Sequence, residues 1–166
     1  MRAETPEDEV HVRAVNAAAF PTDAEARLVD VLRGNAEPQI SLVAEHEAGV
    51  VGHILFTPVE IRSPSGTSMA LGLAPMAVLP AHQRRGIGSA LVRTGLEACR
   101  EAGELVVIVL GHPEFYPRFG FCPAWDSGLY FETPGPMPAF MVCELVPDAL
   151  GGRTGQVRYH DAFYDL

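Results

Sequence analysis

Gln83-Arg84-Arg85-Gly86-Ile87-Gly88-Ser89 follows a strand-like stretch that leaves at Val78 to Pro80, and it opens a helical stretch. From Gly86 to Ala102, the residues Ile87, Leu91, Val92, Gly95, Leu96, Ala98 and Cys99 occupy one half of a helical wheel. Ser89, Arg93, Glu97, Arg100 and Glu101 occupy the other. The seven residues therefore read as a strand-to-helix loop. Such a loop presents unpaired backbone N–H groups at a helix N-terminus, where partial positive charge collects, and so attracts phosphate. Gly86 and Gly88 let the backbone approach a ligand closely, Arg84 and Arg85 add charge, and Ser89 adds a hydroxyl.

Two common phosphate loops do not fit. A Walker A loop needs Gly-x-x-x-x-Gly-Lys-Ser/Thr, and all 12 basic residues of this chain are arginine. A dinucleotide fingerprint needs a third glycine where Leu91 stands, on an early central strand of a parallel sheet. Upstream, the pattern is instead that of an antiparallel meander. Ile40 to Glu45 and Val50 to Ile61 are β-rich runs joined by a hairpin at Glu47-Ala48-Gly49, and Ser63-Pro64-Ser65-Gly66 turns the chain into a third run, Met69 to Leu79. Pro75 interrupts that run. Because proline lacks a ladder donor, a bulge or an edge is expected there.

Two helices precede the meander. Thr5-Pro6-Glu7-Asp8 predicts a capped helix start and a helix to about Phe20; Thr22-Asp23-Ala24-Glu25 repeats the signal. Ala24, Leu28, Val31 and Leu32 then share a face, and Gly34 is expected to close the second helix in a left-handed conformation. Downstream of the loop helix, Gly103 marks a stop. Leu105 to Leu110 is a continuous apolar run, read as a strand buried on both faces and parallel to its predecessor through a right-handed crossover. A short helix at Glu114 to Phe119 and strands near Leu129 and at Ala139 to Leu145 follow, with a tail loop around Gly151-Gly152.

The fold class is therefore mixed α/β (α+β). The 166 residues and 48% hydrophobic content suit a single domain, 1–166. Cys99, Cys122 and Cys143 are odd in number and contain no CxxC pair, so no metal site and no disulfide framework is expected. Cys122 reads as a small buried cysteine rather than an activated nucleophile, since no His/Asp arrangement adjoins it. Met1 to Glu9 mixes Arg2 with four acidic residues and lacks an apolar signal core, and no run approaches the roughly 20 residues of a membrane span. A cytoplasmic protein with no membrane partner is expected. The net charge of −9 argues against nucleic acid as a partner and mildly favours a cationic small molecule.

Gln83-Arg84-Arg85-Gly86-Ile87-Gly88 resembles the Q/R-x-x-G-x-G/A signature of the GCN5-related N-acetyltransferase (GNAT) family. The order of elements resembles that family along most of the chain. Val51-Gly52-His53-Ile54-Leu55-Phe56 and Gly111-His112-Pro113-Glu114-Phe115-Tyr116-Pro117-Arg118-Phe119-Gly120-Phe121 look like its YhbS-like bacterial branch. The resemblance implies a GNAT-type fold, with a mostly antiparallel sheet whose one parallel pair splays, and acetyl-CoA as co-substrate. It implies that Gln83, Arg84, Arg85, Gly86, Ile87, Gly88 and Ser89 hold the pyrophosphate. Met76, Ala77 and Val78 would offer backbone groups to pantetheine in the gap that Pro75 opens.

The implied chemistry is acetyl transfer to a primary amine, on a small molecule or a peptide, by direct attack in a ternary complex. Tyr116 matches the family's Tyr-x-x-x-Gly-Phe pattern, in which the hydroxyl contacts the CoA sulfur and protonates it on leaving. Met69 to Val78 contains no acidic residue where some members carry a glutamate base. His53, Glu60, His112, Glu114 or a water relay remain candidates, with His112 and Glu114 nearest Tyr116 in sequence. Trp125, Tyr130, Tyr159, Phe163 and Tyr164 either wall an acceptor pocket, pack internally or meet a second subunit in a homodimer. A CoA-binding sensor or scaffold without turnover is the alternative function.

Overall fold

The computed structural model describes residues 1–47 and 49–165. Ala48, at the tip of the expected hairpin, and Leu166, at the end of the expected domain, lie outside the described residues. The strands are β1 (Arg2–Ala3), β2 (Ile40–His46), β3 (Gly49–Ser63), β4 (Gly66–Val78), β5 (Val106–Leu110), β6 (Cys122–Pro123), β7 (Leu129–Phe131), β8 (Phe140–Glu144) and β9 (Gly155–Arg158). The α-helices are α1 (Glu9–Ala19), α2 (Ala24–Asn35) and α3 (Ile87–Glu101). One sheet runs β1-β2-β3-β4-β5-β8-β6, with β9 bridging β3 and β7. Its neighbours along that path are antiparallel except β4 and β5, the expected parallel pair joined through α3.

Period-two burial decides which residues meet which layer. In β3, Ile54 and Phe56 face α3 together with Leu71 and Leu73 of β4, and pack on Leu91, Val92 and Leu96. Leu55 faces the opposite side, where Val12 of α1 and Leu28, Val29 and Leu32 of α2 cover it. Val59, Ile61 and Ala70 pack with Ile108, Leu129, Val157 and Tyr159 in a third cluster. The sheet is thus a middle layer. Gly95 lets α3 lie against it: a Cβ there would come within 2.5 Å of the Phe56 ring.

Several local expectations change. The N-terminal start is a 3-10 turn, Pro6–Asp8, leading into α1, and the Thr5 backbone N–H donates to Asp8 Oδ2 at 2.8 Å as the capping signal predicts. Gly34 does not stop α2. Helical bonding continues to Asn35, and Ala36 N–H closes the last turn on Leu32 O at 3.0 Å. The short helix expected around Glu114 to Phe119 is a 3-10 helix over Tyr116–Phe119, stopped by Gly120 at φ +94°. The tail beyond Gly152 contributes β9, which pairs with Glu60–Arg62. Cys122 is exposed, not buried: β6 forms the end of the sheet path and, among the described residues, pairs only with β8.

Among the described residues, no helix is long and apolar enough to cross a membrane, and no three His, Cys, Asp or Glu side chains gather as a metal site.

Candidate active site

The site begins where β4 changes partners. Ile54 pairs with Met76 and Phe56 with Leu73, so Leu55 alone opposes Ala74 and Pro75. This two-against-one bulge is the feature expected at Pro75. On its other side, β4 pairs with β5 only at Leu71–Val107, Gly72–Ile108 and Leu73–Val109. Beyond Leu73 it has no β5 partner among the described residues. Backbone groups of Ala74 to Val78 on that edge are therefore available to a ligand.

A cleft of about 1130 Å³ opens at this break and reaches both faces of the sheet. That exceeds the roughly 300–1,000 Å³ usual for one drug-sized ligand, and leaves room for two substrates. On the α3 face it is lined by Met76, Ala77, Val78, Gln83, Arg84, Gly86, Gly88 and Ser89, then by Phe115, Tyr116 and Arg118. On the opposite face it is lined by Phe20, Glu25, Leu28, Phe131, Tyr159 and Phe163. Leu110, Gly111, His112 and Glu114, at the exit of β5, complete the lining.

The loop has the conformation its sequence implies. Gly86 is the N-cap of α3 at φ +81°, ψ 0°, and a Cβ there would meet no atom within 4 Å, so its face is open. Arg84 also adopts positive φ, at 60°. Among the described residues no side chain caps α3, which leaves its first N–H groups for a ligand. Gln83 braces the loop, donating from Nε2 to Val78 O at 2.9 Å, so the Val78 carbonyl is already engaged. Arg85 and Ile87 do not line the cleft. Ile87 packs toward the core beneath α3, whereas Arg85 is exposed.

Tyr116 is held by shape. Its ring lies on Gly111, where an added Cβ would stand 3.0 Å from Cδ2 and closer still to Cε2, and it meets Phe115 and Phe121 edge-on at 5.0 and 5.5 Å. Its hydroxyl has no hydrogen-bond partner among the described residues. Burial pushes its pKa up to about 12, so it remains a donor throughout the neutral range. His112 and Glu114 are exposed at the cleft, whereas two other base candidates are elsewhere. His53 is buried between α1 and the sheet, with Asn16 Nδ2 at 3.1 Å from Nδ1 and Ser41 Oγ at 3.0 Å from Nε2. Glu60 pairs with Arg62 beside a separate cavity of about 310 Å³.

The Glu4–Ser41–His53 contacts have the residue types of a hydrolase triad but not its wiring. Glu4 bonds the serine, not the far ring nitrogen, and the group lies outside the cleft. Burial opposes ionisation of Glu4, but hydrogen bonds with His53, Ser41 and Arg33 hold its pKa down at about 2.

Of the five aromatic residues proposed as an acceptor wall, Tyr159 and Phe163 line the cleft. Trp125, Tyr130 and Tyr164 do not; Tyr164 stacks behind Phe131 at an interplanar angle of 7°. Glu25, Phe20, Leu28 and Phe131 complete that side. Glu25 carried a readable signal, since at three residues before Leu28 and seven before Leu32 it is a carboxylate on an apolar helix face.

Residues 1–124 match the family model of the acetyltransferase (GNAT) domain. The chain belongs to the GNAT acetyltransferase family. It is 38% identical to the uncharacterized N-acetyltransferase YhbS of Escherichia coli (strain K12), over 98% of this chain and 97% of that protein. A crystal structure of E. coli YhbS in complex with CoA matches at a TM-score of 0.89 and 38% identity, covering 98% of this chain and 90% of that one. A GNAT acetyltransferase from Brucella melitensis in complex with acetyl-CoA matches at 0.78 and 36% identity, over 98% and 96% of the two chains. GNAT membership makes the chain an acyltransferase. Phe131, Tyr159 and Phe163 lie beyond the residues matched by the family model.

Proposed function

We propose that this chain acts as one domain, residues 1–166, that transfers the acetyl group of acetyl-CoA to a primary amine in a ternary complex. The observation that carries the proposal is the single cleft joining an open helix N-terminus, an unpaired β4 edge and the Tyr116 hydroxyl. The α3 N-terminus with Arg84 and Ser89 receives the pyrophosphate. Pantetheine follows the Ala74 to Val78 edge, as a further strand would, and the thioester arrives beside Tyr116. The relatives solved with CoA and acetyl-CoA support this choice of donor.

The amine enters from the α1–α2 face and attacks the thioester carbonyl. The C–N bond forms, negative charge on the oxygen meets an N–H of the β4 edge, and the C–S bond then breaks. Tyr116 donates a hydrogen bond to the departing sulfur. With its pKa at about 12 against about 8.5 for a thiol, full proton transfer from the phenol would be uphill by roughly 3 to 4 units, or about 5 kcal/mol. The proton that finally reaches the thiolate is therefore the one the attacking nitrogen loses. His112, exposed at the same cleft, relays it directly or through water.

The test is thiol release: protein, acetyl-CoA and a panel of primary amines, with free CoA followed by a thiol reagent. Amine-dependent release supports the proposal. Tight acetyl-CoA binding with no release from any amine would make the chain a CoA-binding module instead.

A further inference from the structure

Two residues that line the acceptor half of the cleft each carry a buried polar atom with no partner among the described residues. Glu25 lies in the first turn of α2, lines the cleft, and has a fully buried Oε2 without a partner among the described residues. The arginines of α1 and α2 are engaged elsewhere: Arg13 with Asp30, Arg27 with Asp23, and Arg33 with Glu4, Glu9 and Asp30. Tyr159 is only 6% exposed, and its hydroxyl is likewise buried and unpartnered. Its ring presses on Gly72, where a Cβ would stand 2.7 Å from Cε1, beside the last positions at which β4 pairs with β5. A buried carboxylate oxygen and phenol without partners are costly unless a ligand completes them. Phe20, Leu28, Phe131 and Phe163 supply the remaining, apolar wall.

We propose that Glu25 and Tyr159 select the acceptor, and that it is a singly charged primary amine on an apolar body the size of an aromatic ring. This rests on the acetyltransferase reading above. One carboxylate matches one ammonium, and the apolar wall excludes the water that further charges would need. The other carboxylate of the cleft, Glu114, is exposed near Tyr116. A polyamine or an aminosugar would therefore bury charges with no counter-ion. Glu25 in this role binds the ammonium form and orients its nitrogen toward the thioester.

The experiment is calorimetric titration of 2-phenylethylamine, 2-phenylethanol and spermidine into the protein saturated with CoA, so that binding is read without turnover. The expected order is 2-phenylethylamine tightest, with at least tenfold loss in Glu25→Gln, a smaller loss in Tyr159→Phe, and no dependence of 2-phenylethanol on Glu25. Spermidine binding more tightly than 2-phenylethylamine, no binding of 2-phenylethylamine, or an unchanged affinity in a folded Glu25→Gln protein would overturn the assignment. An acid serving only the α2 dipole would lower the melting temperature of Glu25→Gln without moving amine affinity. Should Glu25→Gln not fold, Glu25→Asp tests the same point, because retracting the carboxylate by one methylene still predicts weaker 2-phenylethylamine binding. Binding of 2-phenylethylamine without thiol release would leave this selection standing and remove the transferase reading. Acetylation confined to polyamines would do the reverse.

Discussion

Replacing Tyr116 with phenylalanine removes one oxygen and should separate stability from catalysis. The ring is buried, but the hydroxyl reaches the cleft and bonds nothing among the described residues, so its loss leaves the fold unharmed or more stable by up to about 1 kcal/mol. In a chain of this size that is a rise of roughly 2–4 °C in melting temperature. Catalysis should move the other way. A hydrogen bond to a charged group contributes about 1.5–3 kcal/mol, and Tyr116 is assigned one such bond, to the departing sulfur. Turnover should therefore fall about 10- to 150-fold with acetyl-CoA affinity little changed. Thiol release under saturating substrates, with calorimetry for the donor, measures both.

The raised pKa adds a pH signature. Tyr116 is moved from 10 to about 12 by burial, so its neutral form is favoured in the folded state. That stability is fully present below pH 10 and is lost as pH rises from 10 through 12, a contribution of about 3 kcal/mol for two units. The Phe variant lacks this term, and its advantage in stability should widen above pH 10. Likewise, no alkaline limb below about pH 11 in the rate profile should depend on Tyr116. Unaltered turnover in Tyr116→Phe would refute its contact with the sulfur. A loss beyond about 10⁴-fold would refute the hydrogen-bond assignment in favour of full proton donation.

Three further outcomes test other parts of the account. Gly86→Glu and Gly86→Gln share the strain of a side chain at φ +81°, but only the former puts a negative charge at the anion site; acetyl-CoA affinity in the Glu variant should be weaker than in the Gln variant by about tenfold or more. Equal affinities would remove the pyrophosphate from the loop. Gly95→Ala forces a methyl to 2.5 Å from Phe56 and should lower stability by about 1–3 kcal/mol in a thermal melt, leaving acetyl-CoA affinity near wild type. In native protein a thiol reagent should label Cys122 rapidly, while Cys99, pushed up to about 12 by burial, and buried Cys143 react only on unfolding; mass spectrometry of the labelled chain decides this.

The architecture was readable because its signals are local. Periodicity of two and 3.6, the glycines at 86, 88 and 103, and Pro75 each mark a feature within a few residues of themselves. The bulge at Pro75 and the parallel β4–β5 pair followed from such marks. Gly34 misled because glycine permits a left-handed stop without requiring one, and α2 continues through it. Strand β9 was not legible because its four residues gain order from pairing with β3 and β7, contacts set by distant sequence. The donor side was read almost whole, since one contiguous loop and one strand edge form it. The acceptor side was not. It is assembled from α2, β7, the residue that follows β9 and the C-terminal turn, and spacing along the chain could not bring Glu25, Phe131 and Tyr159 together. His53 shows the same limit in reverse, being a plausible base by type that the fold commits to a buried network.

The most direct measurement is a crystal structure of the protein with acetyl-CoA. The account predicts the pyrophosphate against the α3 N-terminus at Arg84 to Ser89, pantetheine along the Ala74 to Val78 edge, and sulfur within hydrogen-bonding reach of the Tyr116 hydroxyl, with the acetyl group pointing toward Glu25 and Tyr159. A thioester lying away from the β4–β5 gap, or a Tyr116 hydroxyl turned from the sulfur, would contradict it.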